Sequence, residues 1–168
     1  AYMNSEVWLN GESLGTRPYG YSTFHYDLTS HLKPAGSPNV VAVRVQVKQP
    51  SSRWYSGGGI YRHVWLTVTG PVRIDQWGTV VRTANVTDQR ADLNVRLDLR
   101  NHAASAVTVS AEVVIRDGTG RTINTKREPI EVAADGRASV DLPLSVARPH
   151  RWSVADPYLY EVESRVRV

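Results

Sequence analysis

Arg53-Trp54-Tyr55-Ser56-Gly57-Gly58-Gly59-Ile60-Tyr61-Arg62-His63-Val64-Trp65-Leu66 joins a polar aromatic loop, a triple glycine and an alternating run. Three consecutive glycines permit positive φ and close backbone approach to another surface. Beyond them Tyr61, His63 and Trp65 alternate with Ile60, Arg62, Val64 and Leu66, the period of a strand. A plain loop-to-strand junction has no need of an Arg-Trp-Tyr cluster ahead of the glycines. The stretch therefore marks both a fold and a candidate site.

Working outward, strands dominate. Asn10-Gly11, between Val7-Trp8-Leu9 and Leu14, signals a tight hairpin. Residues 21–28 are expected to form a strand rich in aromatics and Thr. Residues 33–39, with Pro34, Gly36 and Pro38, form a loop. Val41, Val43, Val45 and Val47 share one strand face, with Ala42, Arg44, Gln46 and Lys48 opposite. A long loop over residues 49–59 leads into a strand expected over residues 60–69. Gly70-Pro71 is short and stiff, and marks a domain boundary.

After that boundary the alternation is cleaner. Ala91, Leu93, Val95, Leu97 and Leu99 alternate with Asp92, Asn94, Arg96, Asp98 and Arg100. Val107, Val109, Ala111, Val113 and Ile115 repeat the theme, as do Val140, Leu142, Leu144 and Val146. Residues 158–168 make a last strand. Asp117-Gly118-Thr119-Gly120 and Ala134-Asp135-Gly136 mark turns. Strands at this spacing, with no helical period between them, indicate an antiparallel sandwich.

The Arg53–Leu66 stretch resembles the close of the sugar-binding domain in glycoside hydrolase family 2, the β-galactosidase and β-glucuronidase family. Val7-Trp8-Leu9-Asn10-Gly11, Gly20 to Thr29 and Asn39 to Val45 follow that family's order. Trp152-Ser153 and Asp156-Pro157-Tyr158-Leu159-Tyr160 are similar to the last strand of its immunoglobulin-like domain. The resemblance implies an all-β chain. Residues 1–70 are expected to be the C-terminal part of a jelly-roll, galactose-binding-like sandwich, and residues 71–168 an immunoglobulin-like β-sandwich.

The resemblance also implies where the chemistry is. The family's two catalytic glutamates lie on a (β/α)₈ barrel that follows the immunoglobulin-like domain, so none is expected in this chain. Residues 1–70 hold about half of the strands that an eight-stranded jelly roll needs. The chain is therefore expected to be an internal piece of a larger glycosidase, inactive alone. The alternative is a stand-alone carbohydrate-binding or adhesion module that uses its tryptophans as stacking platforms. Most of those tryptophans sit at alternating strand positions, which suggests burial in the core.

Composition excludes several other classes. The 168 residues are 41% hydrophobic, which suits a globular chain, and no apolar run approaches the ~20 residues of a membrane helix. Cys is absent, so disulfides and thiolate metal sites are ruled out. The net charge is +4, but the basic residues are interspersed with acids, as in Arg96-Leu97-Asp98-Leu99-Arg100. Nucleic-acid binders concentrate charge on one face. No nucleic acid, membrane or cofactor is expected. The compartment stays open, with a bacterial periplasmic or secreted location favoured over the cytoplasm.

Candidate site residues fall into two groups. Arg53, Trp54 and Tyr55 could contact a sugar, since rings stack on pyranose faces and Arg donates bidentate hydrogen bonds. Some family members present an acidic residue here to the terminal sugar, whereas this chain has Ser52 and Arg53. That departure favours an interface with the barrel. Gly57, Gly58, Gly59, Arg62 and Asp27 form a structural motif, with Arg62 inside a strand and paired to Asp27 or to the barrel. Glu161 and Glu163 share a strand face with Arg165 and Arg167, a mixed-charge surface. The five His are scattered without metal-ligand spacing, so no metal is expected. The expected partners are the catalytic barrel of the same polypeptide, a β-glycoside bound by the parent, and a second copy joined through exposed sheet edges.

Overall fold

The computed structural model describes residues 1–48, 50 and 57–168. It divides into two compact units, Ala1–Leu66 and Thr67–Val168. Among the described residues both are all-β, apart from a 3-10 turn at Thr29–His31.

The first unit holds strands β1 (Ser5–Leu9), β2 (Glu12–Arg17) and β3 (Val41–Val45) in the antiparallel order β2-β1-β3. The β1–β2 hairpin turns at Asn10 and Gly11, whose φ angles are 53° and 91°. Positive φ at both central residues is the requirement of a type I′ turn, and the Asn-Gly pair supplies it. Val7 and Leu9 of β1 are buried between the flanking strands, whereas Val41 and Val43 of β3 are exposed. Arg44 on the opposite face of β3 pairs with Glu6 at 2.7 Å.

Two expected strands of this unit differ from the structure. Residues 21–28 run without a β-ladder and are held by rings: Tyr26 packs on Gly15, Phe24 lies edge-on to Tyr26, and the Arg17 guanidinium covers both rings. Residues 60–69 are likewise outside any ladder, and most are exposed. Alternation predicts an extended backbone, but a strand also needs a neighbouring row of donors and acceptors. Among the described residues, no strand pairs with either segment in a ladder. Arg62 consequently lies on an exposed segment and not inside a strand.

The second unit is a sandwich of two three-stranded antiparallel sheets. One has the order β4-β5-β8, from β4 (Val72–Val86), β5 (Arg90–Asn101) and β8 (Arg137–Ala147). The other has the order β7-β6-β9, from β7 (Thr122–Val132), β6 (Val107–Arg116) and β9 (Glu161–Arg167). The alternating apolar positions meet between them. Val95, Leu97 and Leu99 of β5, Val109, Val113 and Ile115 of β6, and Leu142 and Leu144 of β8 form one buried cluster. Period 2 puts these residues on one face of each strand, so in-register pairing gathers the whole set.

The tryptophans depart from the expected burial. Trp65 is 81% exposed, Trp77 60% and Trp152 58%. Trp77 occupies a bulge in β4 where the register to β5 slips between Ile74 and Thr79, and its φ is 56°. The bulge takes it out of the in-out alternation on which core burial depends.

Candidate functional site

The glycine stretch, the nearby Tyr61 and two tyrosines distant in sequence build a cleft in the first unit. Its volume is about 280 Å³, and Tyr2, Tyr21, Gly58, Gly59 and Tyr61 are among the residues that line it. The chain start is fastened to the glycines by the Tyr2 amide, which donates to the Gly59 carbonyl at 2.9 Å. Gly59 has φ 134°, in the region that only glycine adopts at low cost. A Cβ on Gly58 would come within 2.7 Å of Val47 Cγ2, so this residue must lack a side chain to lie against the end of β3.

Aromatic contacts shape the walls. Tyr2 and Tyr19 both meet Tyr21 edge-on, with ring centroids 5.5 and 5.6 Å apart. The Tyr61 hydroxyl donates to the Gly20 carbonyl at 2.6 Å. Arg62 Nη1 donates to the Tyr21 carbonyl at 3.1 Å, and the guanidinium sits 5.1 Å from the Tyr61 ring centroid. The hydrogen bond with the Tyr2 side chain, together with nearby phenols, pushes the Tyr21 hydroxyl above its ordinary value. The cleft therefore presents an uncharged Tyr21 phenol at neutral pH, beside further tyrosine rings and backbone polar groups. Such a surface suits stacking and hydrogen bonding with a hydroxyl-rich ligand.

The residues expected from sequence are placed unequally. Arg53, Trp54 and Tyr55 lie outside the described residues. Gly57, Gly58 and Gly59 line the cleft. Arg62 borders it through Tyr61 and Tyr21, as described. Asp27 accepts from the Thr29 amide at 2.9 Å and the Thr29 hydroxyl at 2.6 Å, just ahead of the 3-10 turn. Tyr2, Tyr19 and Tyr21 were not legible as site residues, because only the fold brings positions 2, 21 and 61 together. The clue in the sequence was Tyr19-Gly20-Tyr21, where a small residue between two rings leaves room for a third.

Two carboxylates of the second unit, Glu163 and Glu112, are bound to arginines. Glu163 pairs with Arg165 at 2.6 Å and with Arg116 at 3.2 Å, and these hydrogen bonds hold its carboxyl below the usual range. Glu112, buried on β6, is likewise held low, first by Arg127. Among the described residues, no cluster of three or more His, Asp or Glu side chains forms a metal-binding group.

Glycosyl hydrolases family 2 matches residues 72–168, more than half of the chain. A β-galactosidase from Bacteroides ovatus is 45% identical over 166 residues, covering 98% of this chain and 19% of that protein. A solved glycosyl hydrolase family 2 member from Bacteroides cellulosilyticus DSM 14838 is similar with a TM-score of 0.93 and 34% identity, over 99% of this chain and 23% of that one. A Bacteroides uniformis β-glucuronidase is similar with a TM-score of 0.87 and 26% identity, over 99% of this chain and 21% of that one. The chain spans about a fifth of the length of these relatives. From its matched residues and its β-sandwich architecture, the chain belongs to glycosyl hydrolase family 2.

Proposed function

We propose that this chain is the non-catalytic β-sandwich region of a larger β-galactosidase-like hydrolase. One observation carries the reading: the chain matches the Bacteroides ovatus β-galactosidase along 98% of itself but only 19% of that protein. Cleavage of O-glycosidic bonds then belongs to a barrel elsewhere in the polypeptide. The expected chemistry is retaining, with two carboxyls roughly 5 to 5.5 Å apart, one attacking the anomeric carbon and one serving as acid then base. The paired, cation-bound state of Glu112 and Glu163 supports placing that chemistry outside this chain.

Within such an enzyme, this region positions the barrel and closes one side of its pocket. The tyrosine cleft beside Gly57–Gly59 and the stretch Arg53-Trp54-Tyr55 are the segments we assign to that side. A panel of aryl β-galactoside, β-glucuronide, β-mannoside and β-glucosaminide, offered to the chain extended by its barrel, tests the reading. Turnover of the galactoside supports it. Failure on the whole panel would overturn it.

Exposed Trp65, Trp77 and Trp152 favour a second reading, a carbohydrate-binding or adhesion module. Titration of the chain with sugars, followed by tryptophan fluorescence, separates the two. Saturable binding at millimolar or lower concentration, with no barrel attached, favours the module.

A further inference from the structure

A second cleft lies wholly within the second unit, at the edge where the turn after β6 approaches the segment between β8 and β9. Its volume is about 490 Å³. Asp117, Arg121, Arg148, His150, Tyr158 and Tyr160 contribute its polar and aromatic lining. The hydrogen bonds at this cleft leave donors facing outward.

The Tyr158 hydroxyl accepts from the Gly118 amide at 2.7 Å, and the Tyr160 hydroxyl accepts from the His150 amide at 2.8 Å. Each phenol has thus used an acceptor site, and its own proton remains for a ligand. Asp117 is turned inward. Its carboxylate takes the Thr119 hydroxyl at 2.6 Å, the Thr119 and Arg121 amides at 3.0 and 3.1 Å, and Arg121 Nε at 3.2 Å. Arg121 is consequently fixed through Nε, while its side chain stays 78% exposed. The second cation, Arg148, is exposed at φ 42°, with its amide bound to the Gln89 carbonyl. Two guanidiniums and two phenol protons stand against two carboxylates, Asp117, which is turned inward, and Asp156, which is taken up by His150.

The cleft also has a flat aromatic wall. His150 stacks on Tyr158 with centroids 4.0 Å apart and 9° between the planes, and Tyr160 meets Tyr158 edge-on at 5.2 Å. Asp156 Oδ2, 2.5 Å from His150 Nε2, fixes the imidazole in that plane. A Cβ on Gly118 would lie 3.0 Å from the Tyr158 ring, so the turn closes tightly behind the wall.

We propose that this cleft binds an oxyanion carried on a sugar, such as a carboxylated or sulfated pyranose. The anion lies between Arg121 and Arg148, the phenols of Tyr158 and Tyr160 donate to ring or anion oxygens, and the sugar face rests on the His150–Tyr158 stack. The sugar half of the assignment rests on the family reading. The oxyanion half rests on the donors alone.

The test is a titration of the 168-residue chain, read by amide NMR shifts, with sodium glucuronate, sodium sulfate and glucose at matched ionic strength. Glucuronate is expected to shift the amides of Gly118, Arg121 and Arg148 saturably, with a dissociation constant on the order of 1 mM. Sulfate is expected to act on the same amides more weakly, and glucose not at all. Arg148→Gly removes the guanidinium while suiting the local φ, and is expected to weaken glucuronate binding by roughly tenfold without loss of folding. Equal shifts from sulfate and glucuronate would remove the sugar half and leave an anion site. Equal binding of glucose and glucuronate, no saturable shift with any of the three, or an Arg148→Gly chain that binds glucuronate as tightly, would each overturn the proposal. None of these readouts depends on glycoside turnover, so failure here is distinct from failure of the hydrolase reading.

Discussion

Arg127 of β7 and Glu112 of β6 are direct cross-strand neighbours, and their side chains meet at 2.5 Å on the outer face of the sheet. Arg165 of β9 opposes Glu112 from the other side and approaches it at 3.5 Å. The Glu112 side chain is only 6% exposed, and with Arg167 at 3.8 Å three guanidiniums compensate a carboxylate shut away from water. Directly opposed unlike charges are the stabilising cross-strand arrangement.

This arrangement sets an acid limit. Glu112 and Glu163 are held below the usual carboxylate range by arginines, Asp98 by Ser139 and Arg96, and Asp117 by Thr119. A carboxyl depressed in the folded state contributes stability that is complete above its unfolded value and lost as pH falls through its folded value. Melting temperature should therefore be flat above about pH 5 and fall progressively below about pH 4. Arg127→Ala should lower it at neutral pH and make the acid slope shallower. Calorimetry between pH 3 and 7 checks both, and identical acid slopes in the two chains would contradict the assignment.

Asn101 ends β5 fully buried, and its side chain is saturated. Nδ2 donates to the carbonyls of Ser105, Val132 and Ala133 at 2.8 to 3.2 Å, and Oδ1 accepts from the Ala103 amide at 2.7 Å. It ties the turn after β5 to the end of β7. Asn101→Ala should cost about 2 to 3 kcal/mol, since it strands backbone groups away from water. Urea unfolding measures this, and a loss below about 0.5 kcal/mol would show that water replaces the side chain.

Leu97 has no exposed surface and sits in the centre of the sandwich core. Leu97→Ala should cost about 2 to 5 kcal/mol through lost burial and the cavity left behind. The same denaturation experiment reads it, and an unchanged midpoint would place Leu97 outside the core.

Val64, Trp65, Leu66 and Val68 are each at least 76% exposed, in a segment without a ladder. Extended apolar backbone with open edges pairs with other chains. We expect the chain alone to self-associate with rising concentration, and Trp65→Ser with Val68→Asp to reduce this. Light scattering across a concentration series checks it. A monodisperse monomer up to millimolar concentration would contradict it.

The sandwich core was legible because its strands bury one face. Ala91 to Leu99 and Val107 to Ile115 alternate cleanly, and the structure pairs both as ladders. β7 was not singled out, because its apolar residues thin to Ile123, Ile130 and Val132 among charged positions. β4 was hidden by the bulge around Trp77, which breaks the period partway along. Residues 21–28 and 60–69 carried the period without a partner, and a period describes one segment while a ladder requires two. The same limit applied at the cleft. The glycines were visible as a motif, but the tyrosines that meet them come from positions 2 and 21, and only the hairpin brings those positions together.

The most direct measurement is hydrolysis of an aryl β-galactoside by two samples at equal concentration: the 168-residue chain, and the same chain extended by the barrel of its polypeptide. No turnover by the first and clear turnover by the second is the expected result. Turnover by the 168-residue chain alone would contradict the placement of the chemistry outside it. An inactive extended chain would contradict the hydrolase assignment itself.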